Sequence, residues 1–191
     1  MARLSSRPAW KRSPSAPTAS PPALFPSTAS ERGGSRVTIG LRPHHLLCLL
    51  TYIGKGYTPA FTANYDAVVA RLNGGEDVLV VDGPDDICAP MLADGHHCFN
   101  ASIVQRDAQA AMDVETLLGV GIVAGERLNL DRATVGLMRE GFASGATRLA
   151  CTGCQWTALC TDIAGRDFPA VRLEGAEPCF SRLSSAGIRP D

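Results

Sequence analysis

The sequence predicts an α+β fold, in which a small mixed sheet is covered by helices. Two short apolar runs, 37–41 and 78–81, are typical of buried strands. Between them, apolar residues recur at helical spacing, as in the stripe from Phe61 to Leu72. Helices and strands that follow one another in irregular order favour α+β over a regularly alternating fold.

Two helices are predicted between these strands. Pro43 suits a first helical turn because its missing N–H is not needed there, and the pattern runs to about Ile53. Thr58 is a predicted N-cap with Pro59 at the first helical position, and the Asn-Gly-Gly sequence at 73–75 ends this second helix.

The segment 85–100 has no periodicity, which predicts a loop of a length that is usually functional. It contains Cys88 and Cys98, with His96 and His97 directly before the second cysteine. A metal bound to such a loop would supply order that apolar packing does not.

The second half of the chain continues the mixed pattern. A helix is predicted over 101–118 and a strand over 127–130. Asp131 is expected to cap a further helix, the sequence 156–164 is helical in pattern, and 171–173 is a candidate final strand.

Composition divides the chain into two parts. Residues 1–36 are rich in proline, serine and arginine and poor in apolar residues, so we predict a disordered tail or a start assigned too early, with Val37 as the true first residue. The remaining 37–191 are predicted to form one globular, cysteine-rich, metal-binding domain, a length sufficient for its own core.

Charge argues against two classes of partner. The first 36 residues carry six basic residues and one acidic residue, which leaves a net charge of −6 for 37–191 in a chain of net charge −1. Because phosphate backbones and anionic membranes attract basic surfaces, we expect no binding to nucleic acid or to a membrane. Seven cysteines without a recognisable export signal indicate a reducing compartment, and we expect the cytoplasm.

The strongest chemical signal is the sequence from Cys151 through Cys154 to Cys160. Two residues between the first two cysteines let both sulfurs turn toward one centre, and Gly153 permits the tight turn that this requires. Cys160 lies on the following predicted helix and can reach the same point. Three thiolates from ten residues predict a metal site that needs a fourth ligand.

Cys88 and Cys98 are the best candidates for that fourth ligand, because their loop is free to wrap around the other three. Cys179 has no such context and is expected to be an ordinary buried residue. His44 and Cys48 share a helix face at a spacing of four, so they are possible secondary ligands, although packing in the core is the simpler interpretation for Cys48.

The spacing leaves the metal open. Zinc usually has two short-spaced cysteine pairs, whereas this chain has one. Iron–sulfur clusters tolerate irregular spacing, although neither ferredoxin pattern is present. A redox dithiol also uses two cysteines separated by two residues, but Cys160 and the lack of a clear preceding strand argue against it.

Three motifs occur in order: Arg-Pro-His-His-Leu-Leu-Cys at 42–48, Gly-Pro-Asp-Asp-Ile-Cys at 83–88, and Cys-x2-Cys-x-Trp-x3-Cys at 151–160. Together they resemble the domain of unknown function 1284 family of bacteria and archaea, over about residues 37–174. Members of that family are suspected of binding iron–sulfur clusters. The resemblance therefore implies a cluster of the 2Fe–2S or 4Fe–4S type rather than zinc.

The resemblance also indicates which residues matter. It carries over the following positions: Arg42, Pro43, His44, His45, Cys48, Asp85, Asp86, Cys88, Cys151, Cys154, Trp156 and Cys160. Because Ala89, Pro90 and Met91 follow Cys88, where some relatives have another cysteine, the remaining ligand is assigned to Cys98.

Three functions remain open from the sequence. The first is an iron–sulfur protein that transfers electrons to a protein redox partner or senses oxidants. The second is an interaction module with structural zinc. The third is a thiol enzyme, in which His44 or His45 activates Cys48 and Asp85 or Asp86 orients the imidazole.

Overall fold

The computed structural model describes residues 38–94 and 97–177, which contain one mixed sheet of three strands. β1 (Ile39–Leu41) pairs in parallel with β2 (Val78–Val80), and β2 pairs antiparallel with β3 (Arg127–Leu128). Five α-helices accompany the sheet in this part of the chain, so the predicted α+β class is confirmed. The predictions for the tail 1–36 and for Cys179 fall outside the described residues, as does His96.

The first helix, α1 (Pro43–Leu50), follows β1 after a single residue and has proline at its start, as predicted. It ends three residues earlier than the sequence pattern suggests. The next two N–H groups bond to carbonyls three residues back, which tightens the last turn and stops the helix. The leucines of α1 are buried in the core: Leu46, Leu47, Leu49 and Leu50.

The second helix, α2 (Pro59–Asn73), begins at the predicted N-cap. The side chain of Thr58 accepts a hydrogen bond of 3.0 Å from the backbone N–H of Phe61. The stripe from Phe61 to Leu72 is buried, so the helical period was identified correctly.

Three further helices complete the architecture: α3 (Ala101–Leu118), α4 (Arg132–Ala143) and α5 (Thr157–Gly165). Asp131 caps α4 as predicted, accepting a hydrogen bond of 2.8 Å from the backbone N–H of Thr134. α3 packs against both α1 and α4, and it therefore places α1 next to the cysteine-rich segment that precedes α5.

Two expectations for irregular segments need correction. The segment 85–100 contains short 3-10 helices at Ala89–Asp94 and His97–Phe99 and is more regular than its sequence pattern predicts. The predicted strand over 171–173 is wrong, because the N–H of Arg172 bonds to the carbonyl of Tyr52, outside the sheet. Among the described residues, none of the helices combines the length and the apolar composition that a membrane span requires.

Candidate metal centre

A cavity of about 110 Å³ lies where α1 approaches the segment 88–98, α3 and the segment 150–160. A single buried water needs about 10–15 Å³, so this space suits a group of several atoms. All six cysteines of the described residues line it, and all six are free thiols: Cys48, Cys88, Cys98, Cys151, Cys154 and Cys160.

Cys48 is exposed, whereas the residues on either side of it in α1 are buried. Leu47 is 2% exposed and Leu49 is fully buried, whereas Cys48 is an exposed residue. Cys48 lines the cavity, so its exposed surface faces that space. Core packing, the simpler interpretation of its sequence position, therefore does not describe this thiol.

Cys151, Cys154 and Cys160 are held around one turn of backbone. Gly153 has a φ of +70°, the left-handed conformation that a tight turn between Cys151 and Cys154 requires. The hydroxyl of Thr157 donates to the carbonyl of Cys151 at 2.9 Å and lies 2.7 Å from the carbonyl of Cys154. α5 then carries Cys160 back to the same cavity.

A hydrogen bond joins this segment to α1. The hydroxyl of Thr51, which follows α1, donates to the sulfur of Cys160 at 3.1 Å. Cys48 lies one turn earlier than Thr51, so both side chains lie on the same side of the chain. We refer to Cys48, Cys151, Cys154 and Cys160 as the four-thiol cluster.

Electrostatics within the four-thiol cluster disfavour free thiolates. The pKa of Cys48 is raised well above its ordinary value, first by burial and then by repulsion from Cys154, Cys160 and Cys151. Burial also raises the pKa of Cys151 and of Cys160, and the nearby guanidinium of Arg148 only partly offsets this effect. A bound cation would remove this mutual repulsion.

His45 and Cys88 also line the cavity, and they form a second group of possible ligands with Asp85. The ring nitrogen Nδ1 of His45 lies 2.6 Å from Oδ2 of Asp85. The possible ligand atoms of His45, Asp85 and Cys88 all lie within 4.8 Å of one another, and within the described residues this is the one set of three that does so.

Both carboxylate oxygens of Asp85 have hydrogen-bond partners nearby. Its Oδ1 accepts from the backbone N–H groups of Ile87 and Cys88, and its Oδ2 accepts from that of Arg42 as well as contacting His45. Burial would raise the pKa of Asp85, but the attraction of His45 and the hydrogen bonds hold it below the ordinary value. Asp85 is therefore an ionised carboxylate that orients His45.

Cys88 and Cys98 also line the cavity, and the two thiols interact with each other. Burial raises the pKa of Cys88 to about 12, with further contributions from Asp85 and from the Cys98 thiol. Both cysteines are nearly inaccessible, at 3% and 6% exposure. The backbone carbonyl of Cys98 accepts a hydrogen bond of 2.9 Å from Arg42, which ties this loop to the start of α1.

A buried ion pair between Arg42 and Asp107 stabilises this part of the cavity. The guanidinium of Arg42 is 1% exposed and bonds to Oδ2 of Asp107 through two nitrogens, at 2.9 Å and 2.6 Å. Oδ1 of Asp107 lies 2.6 Å from Nδ1 of His44. Burial lowers the pKa of His44 to about 4, so the ring is neutral near neutral pH.

An unpaired hydroxyl lies beside the cavity. Tyr65 is 5% exposed and lines the cavity, and among the described residues its hydroxyl has no hydrogen-bond partner. Burial, followed by repulsion from Cys48 and Asp85, raises the pKa of this hydroxyl well above its ordinary value. A buried hydroxyl without a partner is costly, and a bound group in the cavity would satisfy it.

The structure thus brings all five predicted cysteine ligands to one cavity, and Cys48 and His45 with them. Cys88 interacts with Cys98, and Cys48 interacts with Cys151, Cys154 and Cys160. His44 lines the cavity but contacts Asp107 through Nδ1.

Three contributing residues were not found from sequence: Thr51, Tyr65 and Asp107. The role of Asp107 could have been inferred from its position in the sequence. It lies on the same face of α3 as Ile103, Ala110 and Val114, all buried, and a carboxylate within an apolar stripe requires a charged partner. Tyr65 lies in the apolar stripe of α2, where periodicity alone indicates core packing.

Comparison with known proteins identifies the family of the chain. No curated protein and no solved structure matches the chain. A family model described as "Protein of unknown function (DUF1284)" matches residues 56–160, which is more than half of the chain. The match contains the motifs at 83–88 and 151–160 and begins after the motif at 42–48. The chain therefore belongs to the DUF1284 family of proteins of unknown function.

Proposed function

We propose that this protein is an iron–sulfur protein that transfers single electrons to and from a protein partner. The observation that carries the proposal is the convergence of six free thiols on one cavity. We assign the cluster to Cys48, Cys151, Cys154 and Cys160, which differs from the sequence-based choice of Cys88 or Cys98 as the fourth ligand.

The donor set fits such a cluster. Iron–sulfur clusters of both common types take four cysteine thiolates, and the four-thiol cluster supplies four. Among the described residues, no three of these sulfurs lie within 4.8 Å of one another. With a Zn–S distance of about 2.3 Å, four sulfurs around one zinc would lie about 3.8 Å apart. The wider spacing of these sulfurs favours a cluster, in which the thiolates bind several metal atoms, over a single zinc ion.

The surrounding residues suit a redox role. When bound, an iron–sulfur cluster supplies one-electron chemistry, and its potential depends on burial and on hydrogen bonds to its sulfurs. Phe142, Tyr65 and Trp156 line the cavity and exclude water, while Thr51 donates to the sulfur of Cys160. Lys55 and Tyr57 also line the cavity and are exposed, so a partner could approach on that side.

The free thiols also support a reducing compartment, and we propose the cytoplasm. A thiol enzyme based on Cys48 has less support. An activated thiol nucleophile has a lowered pKa, whereas the pKa of Cys48 is raised. The Nδ1 atoms of His44 and His45 face carboxylates, and neither contact involves Cys48.

Purification without air tests the proposal. The full chain is expected to be brown, to absorb visible light through sulfur-to-iron charge transfer, and to contain iron and acid-labile sulfide in equal amounts. Exposure to air should bleach the colour as the cluster is lost. A colourless protein with stoichiometric zinc and no iron would contradict the proposal and favour a structural zinc module.

A further inference from the structure

The segment 54–57, with the sequence Gly-Lys-Gly-Tyr, lies between α1 and α2. Its last three residues line the cavity. Because Lys55 and Tyr57 are also exposed, this segment lies where the cavity opens to solvent. We refer to residues 54–57 as the rim segment.

Two glycines fix the backbone of the rim segment. Gly54 has a φ of +80°, and a Cβ added there would clash with the guanidinium of Arg172. A Cβ added at Gly56 would lie 2.5 Å from the ring of Phe61. The left-handed conformation at the first position favours glycine, and the close contacts on both sides leave no room for a larger residue. Lys55 therefore extends from a backbone whose position is set by its neighbours.

The charged side chains that line the cavity are basic. Among the described residues they are Arg42, Lys55 and Arg106, and no aspartate or glutamate lines it with them. Arg42 is neutralised by Asp107. No carboxylate of the described residues forms an ion pair with Lys55 or Arg106. Although residues 37–191 are acidic overall, the opening of the cavity therefore attracts negative charge.

An aromatic contact lies beside this charge. Tyr57 is 40% exposed, and its ring meets the ring of Trp156 edge to face, with the centroids 5.7 Å apart. Tyrosine, tryptophan and arginine are the residues that protein interfaces favour over the rest of the surface. A partner that covers Tyr57 would lie against the opening of the cavity that contains the four-thiol cluster.

We propose that the rim segment and Arg106 form the docking site for the protein redox partner, and that this partner presents an acidic surface to them. The proposal rests on the proposed function. Lys55 and Arg106 attract carboxylates of the partner, and Tyr57 supplies an apolar contact. Encounters between electron-transfer proteins are small and weak, and charges at the edge of an interface act mainly on the association rate.

A different role for Lys55 would be to balance the negative charge of a cluster inside the cavity. Its exposure argues against this role, because water and salt screen the charge of an exposed side chain. The same exposure leaves Lys55 available to a partner.

The test follows electron transfer from the full chain, purified without air and reduced, to two purified acceptors. One is the acidic protein plastocyanin, and the other is the basic protein cytochrome c. In stopped-flow measurements, the rate constant with plastocyanin should fall as salt is added, because salt screens the attraction. Lys55→Glu should lower this rate constant about tenfold at low salt without lowering the rate constant with cytochrome c.

Arg127→Glu is the matched control. It makes the same change in charge at an exposed position of β3 that does not line the cavity, and it should leave the plastocyanin rate nearly unchanged. A wild-type rate constant that rises with salt would overturn the proposal. So would a Lys55→Glu variant that is no slower than Arg127→Glu, or one whose loss of rate is explained by its midpoint potential.

Two thiol reagents separate this proposal from the proposed cluster. In the metal-free chain, Lys55→Glu should slow the reaction of the cavity thiols with anionic dithiobis(nitrobenzoate) about tenfold, and it should not slow their reaction with neutral dithiodipyridine. If the chain contains no iron but shows this difference, the cluster fails and the rim segment stands as a site that receives anionic groups. If iron is present and neither assay depends on Lys55, the docking site fails and the cluster stands.

Discussion

Arg42 is a charged side chain that lies almost fully buried in the described part of the chain. Its guanidinium is 1% exposed and is neutralised by Asp107, which lies 65 positions later in the sequence. One further nitrogen bonds to the carbonyl of Cys98, so a single side chain connects α1, α3 and the cysteine-bearing loop. The motif at 42–48 therefore supports the cavity wall as well as supplying candidate ligands.

Removal of Asp107 should leave a buried charge without a partner. We predict that Asp107→Asn lowers the free energy of unfolding by about 3–5 kcal/mol, the usual cost of breaking a buried ion pair from one side. Urea denaturation of matched metal-free samples measures this loss. The double variant Arg42→Met, Asp107→Leu should recover much of it, because no isolated charge remains. A single variant as stable as wild type would show that the pair is not formed.

Thr51 is the residue that should tune the proposed cluster. Thr51→Val removes the hydroxyl that donates to Cys160, while Thr51→Ser keeps it. A hydrogen bond of about 0.5–1.5 kcal/mol corresponds to about 20–65 mV for one electron, and it stabilises the more negative, reduced state. Protein-film voltammetry should give a lower midpoint potential for the valine variant and an unchanged one for the serine variant. Equal potentials in all three proteins would exclude this role.

Among the elements, those defined by local chemistry were predictable and those defined by tertiary contacts were not. Thr58 and Asp131 cap their helices as predicted, since an N-cap depends on neighbouring residues. The strand over 171–173 was wrong because no local signal shows that Arg172 bonds to Tyr52. The position of Cys48 beside the triplet likewise depends on how α1 packs, which its own sequence does not specify.

The turn between Cys151 and Cys154 depends on the backbone conformation of Gly153. Its φ of +70° is unfavourable for alanine by about 1–2 kcal/mol but is tolerated by asparagine. No other atoms lie near a Cβ added there, so the cost is conformational and not steric. Gly153→Ala should therefore contain less iron per chain than wild type, and Gly153→Asn should contain nearly as much. An alanine variant with full iron content would show that this turn does not control the site.

The cap of α4 should be sensitive to pH. Hydrogen bonding from Thr134 holds the pKa of Asp131 below its usual value of 3.8. Because the folded-state pKa is lowered, the stabilisation is complete above about pH 3.8 and decreases as the pH falls below it.

The corresponding experiment is thermal denaturation followed by circular dichroism. Asp131→Ala should be less stable than wild type by about 1 kcal/mol at pH 7, and the difference should decrease toward pH 3. Asp131→Asn, which caps without titrating, serves as the control and should keep its advantage over alanine at both pH values. A difference between Asp131 and alanine that is independent of pH would contradict the assignment.

At the scale of the whole molecule, the fold brings together cysteines that are distant in sequence. α1 supplies Cys48, the segment between β2 and α3 supplies Cys88 and Cys98, the segment before α5 supplies Cys151 and Cys154, and α5 itself supplies Cys160. Sequence patterns identified the α+β class and the residues with ligand chemistry. They could not show that Cys48 lies in the same cavity as the triplet, because that depends on the packing of α1 against α3 and on the contact between Thr51 and Cys160.

Mössbauer spectroscopy of the chain produced with 57Fe tests the central claim most directly. The spectrum of the protein purified without air should show iron in sulfur coordination and magnetically coupled within one cluster. The same spectrum should be obtained for Cys98→Ser and Cys179→Ser, whereas Cys48→Ser and Cys154→Ser should lose it. An iron-free wild-type protein, or Cys48→Ser and Cys154→Ser variants that keep the full signal, would contradict the account.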